Sequence, residues 1–184
     1  MNLRKLYQTV NYILSKYNYR LNYTKLIKLL YISDRNCLKK YGFSITEDSY
    51  VSMSQGIVLS NLYDFIKKGE NEEFNKLFIK DGYDLVSILD KKYSDDELSE
   101  AEIEILDETD EKYHDKDWKY LVDEVVHTFP EWDKSVLKNN TSKPLEKKVL
   151  LKELGKTDEE IKSILETEEQ FDQLEKKFKE KGLL

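Results

Sequence analysis

The stretch NYTKLIKLLYISDRNCLKKYG, residues 22–42, constrains the fold more than any other. Leu26, Leu29, Leu30, Ser33, Cys37, Leu38 and Tyr41 recur at three- and four-residue steps and form one broad helical stripe. Ile27 and Ile32 carry that stripe almost around the circumference. A helix that is apolar nearly all round is buried nearly all round, so the rest of the chain has to assemble about it. Asn22 is placed to accept from an unpaired first-turn N–H as N-cap. Gly42 is placed to stop the helix in the left-handed conformation that glycine adopts at least cost.

The other elements follow from periodicity and punctuation. Leu3, Leu6, Tyr7, Val10, Ile13, Leu14 and Tyr17 predict a first helix over 3–17, broken by NYRLN. Residues 43–54 hold a strand around Tyr50–Met53, which the single glycine of SQG turns into a helix over 58–68, ending at Gly69. KLFIKDGYDLVSIL predicts a hairpin with Asp81-Gly82 at the turn. Ser94 with Glu97, and Ser99 with Glu102, each fit a capping box, leaving two starts for the next helix. DKDWKYLVDEVVHTF predicts a helix with Trp118, Leu121, Val122, Val125 and Val126 on its apolar face, ended by Pro130. DKSVLKNNTSKP is the most linker-like segment. Beyond it lies a helical hairpin whose second helix opens on a Thr157/Glu160 capping box. The expected fold class is mainly α: a compact helical domain with a small β-hairpin and short strands, and a C-terminal helical tail. The expected division is a helical domain over 1–137 and an extension over 138–184, packed on it or projecting from it.

Charge is unevenly spread. Residues 1–69 carry 11 Lys/Arg against 4 Asp/Glu, while residues 70–184 carry 19 against 33, for a net −7. The run Asp95–Asp115 alone has 11 carboxylates and one lysine. Such halves read as two solvated faces, or as an acidic docking surface for a basic partner. The overall acidity argues against a dedicated nucleic-acid binder. A single cysteine, Cys37, forms no internal disulfide, which points to a reducing, cytoplasmic setting. The N-terminus has no apolar signal core, and no apolar run approaches the roughly 18 residues of a membrane span.

Catalytic and metal patterns are weak. One cysteine with His114 and His127 matches no zinc spacing. Cys37 with His127 as nucleophile and base lacks any local oxyanion hole. Ser60 stands outside a glycine-x-serine-x-glycine elbow. No cofactor, metal or catalytic residue is expected from the sequence.

One ordered set of motifs is more specific. Lys25-Leu26-Ile27-Lys28-Leu29-Leu30-Tyr31 opens the central helix and Tyr41-Gly42 closes it; a strand, a glycine turn and a helix then run from Met53 to Tyr63. Downstream, a helix ends in His127, followed by Pro130 and Trp132. Over residues 5–135 this resembles the Panacea, or SocA-like, antitoxin domain family. The family's usual glycine-proline-valine turn is Gly56-Ile57-Val58 here, Met53 replaces an upstream aromatic, and Glu131 is inserted between Pro130 and Trp132. The motif positions are thus Lys25, Leu29, Leu30, Tyr31, Gly42, Gly56, Val58, His127, Pro130 and Trp132. The resemblance implies a non-enzymatic domain that neutralises a cognate protein toxin by direct contact, in some members by delivering it to a protease. It also implies an association with phage or prophage genes. Two alternatives stand beside it: a phage-encoded inhibitor of a host defence protein, and a nucleic-acid-binding regulator using Lys25, Lys28, Arg35, Lys39 and Lys40. The expected partner is a toxin or other effector protein, with a homo-oligomer left open and neither membrane nor nucleic acid expected. The partner-binding surface is placed at Met53, Gln55, Ile57 and Tyr63.

Overall fold

The computed structural model describes residues 1–88, 94–139 and 141–181. Leu89 of the predicted hairpin, Asn140 of the linker-like stretch and residues 182–184 lie outside the described residues.

Helix α1 (Leu3–Ser15) starts where the Asn2 side chain accepts from the Lys5 N–H at 3.1 Å. It buries Leu6, Val10, Ile13 and Leu14 completely. Asn18 and Tyr19, both at positive φ, reverse the chain into strand β1 (Arg20–Asn22). Helix α2 (Tyr23–Tyr41) has the predicted ends. The Asn22 side chain accepts from Thr24 and Lys25 N–H, and Gly42 has φ 84°. A Cβ on Gly42 would also lie 3.1 Å from Ile164, so the helix end is closed by the C-terminal tail.

Strands β2 (Tyr50–Met53) and β3 (Gly56–Leu59) pair antiparallel, Met53 opposite Gly56. The SQG segment is therefore the turn of a hairpin, and not the strand-to-helix turn expected. A glycine at positive φ directly after a two-residue turn is a recurrent hairpin closure, and a four-residue strand intervenes before helix α3 (Ser60–Lys68). That helix has no capping side chain of its own. Asp48 caps it from a distance, accepting from Asn61 N–H and Leu62 N–H, each at 3.0 Å. Helix α4 (Glu72–Leu77) precedes the predicted hairpin, β4 (Phe78–Asp81) and β5 (Asp84–Ser87), whose loop residues are Gly82 and Tyr83.

Helix α5 (Glu100–Tyr113) starts at Ser99 with the reciprocal Ser99/Glu102 capping box, which decides between the two candidate starts. Helix α6 (Trp118–Tyr120) runs into a π-helical stretch at Leu121–Val125 and a 3₁₀ turn at Val126–Thr128. The expected plain helix is thus wound first wide and then tight. Leu121, Val122, Val125 and Val126 are buried as expected, whereas Trp118 is exposed. The linker-like stretch contains helix α7 (Val136–Asn139) and strand β6 (Lys143–Leu145), which pairs with β2. Helices α8 (Lys147–Glu153) and α9 (Asp158–Glu180) follow, the second with the predicted Thr157/Glu160 box. Two three-stranded antiparallel sheets result, ordered β1-β5-β4 and β3-β2-β6, in a mainly α fold. Leu145, Leu150, Leu151, Leu154 and Ile161 belong to the same core cluster as α1 and α2.

The charge asymmetry is largely spent inside the molecule. Arg4 pairs with Asp96 at 2.8 Å, Lys5 with Glu102 at 2.6 Å, Lys16 with Asp107 at 2.6 Å and Lys40 with Glu104 at 3.4 Å. Tyr12 and Tyr17 donate to Asp107 and Asp110, each at 2.7 Å. The acidic run thus lies against the basic N-terminal helices. Lys5–Glu102 is the most enclosed of these pairs, and the exposed ones add little stability.

Asp34 is the most demanding residue of the core. It is fully buried on α2 and accepts from the N–H groups of Ile45 (2.8 Å) and Thr46 (3.0 Å), the Thr46 hydroxyl and the Tyr50 hydroxyl (3.0 Å). Burial pushes its carboxyl up to about 6, and the four donors pull against that rise. Those donors fix the 43–50 loop and the start of β2 to α2. An Asp34→Asn side chain would turn an N–H₂ group toward donors and strand them without an acceptor. The substitution is expected to destabilise the fold by about 2–3 kcal/mol in urea unfolding, and a loss below about 0.5 kcal/mol would contradict the clamp.

Candidate functional site

Sequence reasoning nominated the strand–turn–helix region, and a recess of about 110 Å³ opens there. Tyr23, Thr24, Ile27 and Lys28 of α2 form one wall, Met53, Ser54 and Gln55 of the hairpin turn with Val58 the second, and Tyr63 and Lys67 of α3 the third. The recess exists because the hairpin and α3 converge on α2 without filling the space between them.

Lys28 lies at its floor, 1% exposed. Its Nζ donates to the Ile57 carbonyl at 2.7 Å. Burial lowers its pKa to about 7, since a charged ammonium is poorly solvated there. Lys67 stands at the mouth, donating to the Tyr23 hydroxyl at 2.6 Å and lying 4.7 Å from the centre of that ring. The Tyr23 bond raises the Lys67 pKa.

Behind the turn, Gly56 sits against Val126. A Cβ there would lie 2.8 Å from Val126 Cγ1, and its φ of 85° penalises any L side chain. The change from π to 3₁₀ winding delivers Val126 to this contact and sets His127 flat on Trp132, ring centres 3.8 Å apart. Trp132 Nε1 donates to the Met53 carbonyl at 3.1 Å, tying this segment to the turn. Burial lowers the His127 pKa, against the pull of Asp123.

Next to this lies a second buried polar set. Tyr31 donates to Glu131 at 2.8 Å, and Arg35 Nε donates to the same oxygen at 2.6 Å while its guanidinium lies 4.1 Å from the centre of the Phe129 ring. The Tyr31 ring meets Tyr50 edge-on, which links this set to the Asp34 cluster.

Of the family motif positions, Gly56, Val58, His127 and Trp132 build this framework, while Gly42 closes the far end of α2 against Ile164. Leu29, Leu30 and Tyr31 are core, and Val58 lines the recess. Lys25 is buried and donates to the His114 carbonyl at 2.5 Å, with Tyr17 beneath its ammonium. Pro130 is exposed at the bend before Trp132. A family profile described as antitoxin SocA-like, Panacea domain, matches residues 26–133, well over half of the chain. The chain belongs to the SocA-like Panacea antitoxin family. Searches of curated proteins and of solved structures each returned no match.

Of the nominated contact residues, Met53, Gln55 and Tyr63 line the recess. Ile57 does not. It is 0% exposed, because β3 runs inward from the turn toward α2, so it is a core residue of this Panacea domain and not a contact. The nucleic-acid set also loses members: Lys25, Lys28 and Arg35 are engaged by the His114 carbonyl, the Ile57 carbonyl and Glu131, leaving Lys39 and Lys40 exposed. Cys37 is 0% exposed, and burial pushes its thiol up to about 12, which suppresses the thiolate a nucleophile needs. Ser60 starts α3 and has its backbone N–H held by the Ser49 carbonyl.

Asp34, Asp48 and Glu131 were missed in the sequence. Asp34 had a signal: it falls on the buried stripe with Ile27, Leu30, Tyr31 and Leu38. Glu131, read as an insertion, is a buried acceptor, and nothing local announced it.

The Lys28 environment sets a pH dependence. Its folded pKa, about 7, lies below the 10.5 of the unfolded chain, so the unfolded chain binds more protons between those values. Stability attributable to Lys28 therefore rises with pH through that window. Relative to Lys28→Met, the wild type should gain about 1 kcal/mol per pH unit between pH 7 and 9 in parallel urea titrations. Parallel curves for the two proteins would contradict a buried amine.

Proposed function

We propose that the protein is an antitoxin that neutralises a cognate toxin by direct protein contact. The contact surface in this reading is the rim of the recess, with Met53, Gln55 and Tyr63. The observation that carries it is the family match over residues 26–133, which covers all the recess-lining residues except Tyr23 and Thr24. The position of the rim adds support. Its backbone is held by Lys28, Trp132 and the Gly56–Val126 contact, while Gln55 is left exposed. A rigid rim around a pocket costs little entropy when a partner docks. The surface acts by binding, without a chemical step, and a cytoplasmic location belongs to the same reading. Among the described residues, no helix is long and apolar enough to cross a membrane.

The test is co-expression with the product of the adjacent open reading frame. Growth arrest by that product should be relieved, and the two proteins should co-purify. A Gln55→Arg/Tyr63→Ala double variant should keep its melting temperature and bind at least about tenfold more weakly, as expected for rim and pocket anchors. Unrelieved arrest without a complex would contradict the antitoxin reading. A double variant that binds like wild type would move the contact surface elsewhere.

A further inference from the structure

We propose that the recess is a carboxylate site, and that its occupant is an acidic side chain of the partner protein. The inference rests on the antitoxin reading only in taking a protein as the source of the carboxylate.

Two ammonium groups from different helices line the recess, Lys28 at the floor and Lys67 at the mouth, and no carboxylate is among the lining residues. In a chain of net charge −7, where Arg4, Lys5, Lys16, Arg20 and Arg35 each have a carboxylate partner, this is a local exception. Among the described residues, Lys28 Nζ has one acceptor, the Ile57 carbonyl, which leaves donors of a three-donor group unspent. Lys67 has a hydroxyl partner, Tyr23, and no acidic one among the described residues. A buried lysine unpaired with an anion is costly, and a fold that keeps one without an internal anion has room for an external one.

Size narrows the occupant. A recess of about 110 Å³ lies well below the roughly 300 Å³ at which ligand pockets for drug-sized molecules begin. It admits a carboxylate on a short stem. Tyr23 and Tyr63 offer apolar ring surface to the stem, and Gln55 offers an amide at the rim.

Binding a carboxylate beside Lys28 stabilises its charged form, so its titration should move upward and binding should take up a proton near neutral pH. The charged and titratable groups around it are Lys67 of α3, Tyr23 of α2, Tyr63 of α3 and His127 behind the turn. Burial holds His127 below its ordinary pKa, so the window between pH 7 and 9 reports on Lys28.

The experiment is an NMR titration of the isolated full chain, following the Lys28 side-chain signals and the Gly56 amide. The probes are blocked tripeptides with a central glutamate or glutamine, and sodium acetate. The glutamate peptide should give saturable shifts, move the Lys28 titration up by about one pH unit, and bind more weakly at pH 9 than at pH 7. The glutamine peptide should give no saturable shift. Lys28→Met should abolish the effect. Lys67→Gln, a change at an exposed residue, should weaken it severalfold and stands in if Lys28→Met fails to fold. No saturable shift with the glutamate peptide, or equal shifts with glutamine, overturns the site. Acetate binding as tightly as the glutamate peptide overturns the partner-side-chain assignment and leaves a free-anion site. None of these readouts requires a toxin, so they stand or fall apart from growth rescue.

Discussion

Buried polar groups need hydrogen-bond partners, and α2 carries several that reach distant segments for theirs, Lys28, Tyr31, Asp34 and Arg35 among them. Each unmet group would cost of the order of 1–3 kcal/mol or more. The chain meets them with distant segments: Lys28 with the β3 backbone, Asp34 with the 45–50 loop and β2, Tyr31 and Arg35 with Glu131. The hairpin and the 126–132 segment are therefore placed by hydrogen bonds as much as by apolar contact. Apolar burial draws these segments to α2, and the directional bonds set their register.

The same requirement explains the recess. Lys28 reaches the Ile57 carbonyl only if β3 crosses α2 close by, and Gly56 must lack a side chain for Val126 to back the turn. Trp132 then anchors the Met53 carbonyl from outside. With the turn held at three points and α3 capped by Asp48 from a separate loop, a gap is left between α2, the turn and α3. The rim of that gap is the surface assigned to partner binding. The acidic α5 meanwhile neutralises α1 and the far side of α2, which leaves the recess as a separate basic feature.

Local chemistry was legible in the sequence where it acted alone. The ends of α2, the β4–β5 hairpin and the Ser99 and Thr157 boxes rest on spacing within a few residues, and all were readable. The β2–β3 hairpin was half read, because Gly56-Ile57-Val58-Leu59 is as apolar as a helix start and its pairing with β2 is not local. Strands β1 and β6 were missed for the same reason: three-residue strands exist only by virtue of partners 60 or more residues away in sequence. The π-helix carries no periodicity distinct from an α-helix over five residues. Met53, Gln55 and Tyr63 were placed on one site by their nearness to the glycine, but Ile57 was misassigned, since alternation along β3 cannot be seen where all four residues are buried. Lys28 and Lys67 were not joined in the sequence reading, being 39 residues apart on different helices.

The account makes the polar face of α2 the device that fixes distant segments. The most direct measurement is a double-mutant cycle between the two ends of its longest-range bond, using Tyr31→Phe, Glu131→Gln and the combination in urea unfolding. A coupling energy of about 1–3 kcal/mol is predicted, because the hydroxyl and the carboxylate are both buried and meet at 2.8 Å. Additive single effects, with coupling near zero, would contradict it.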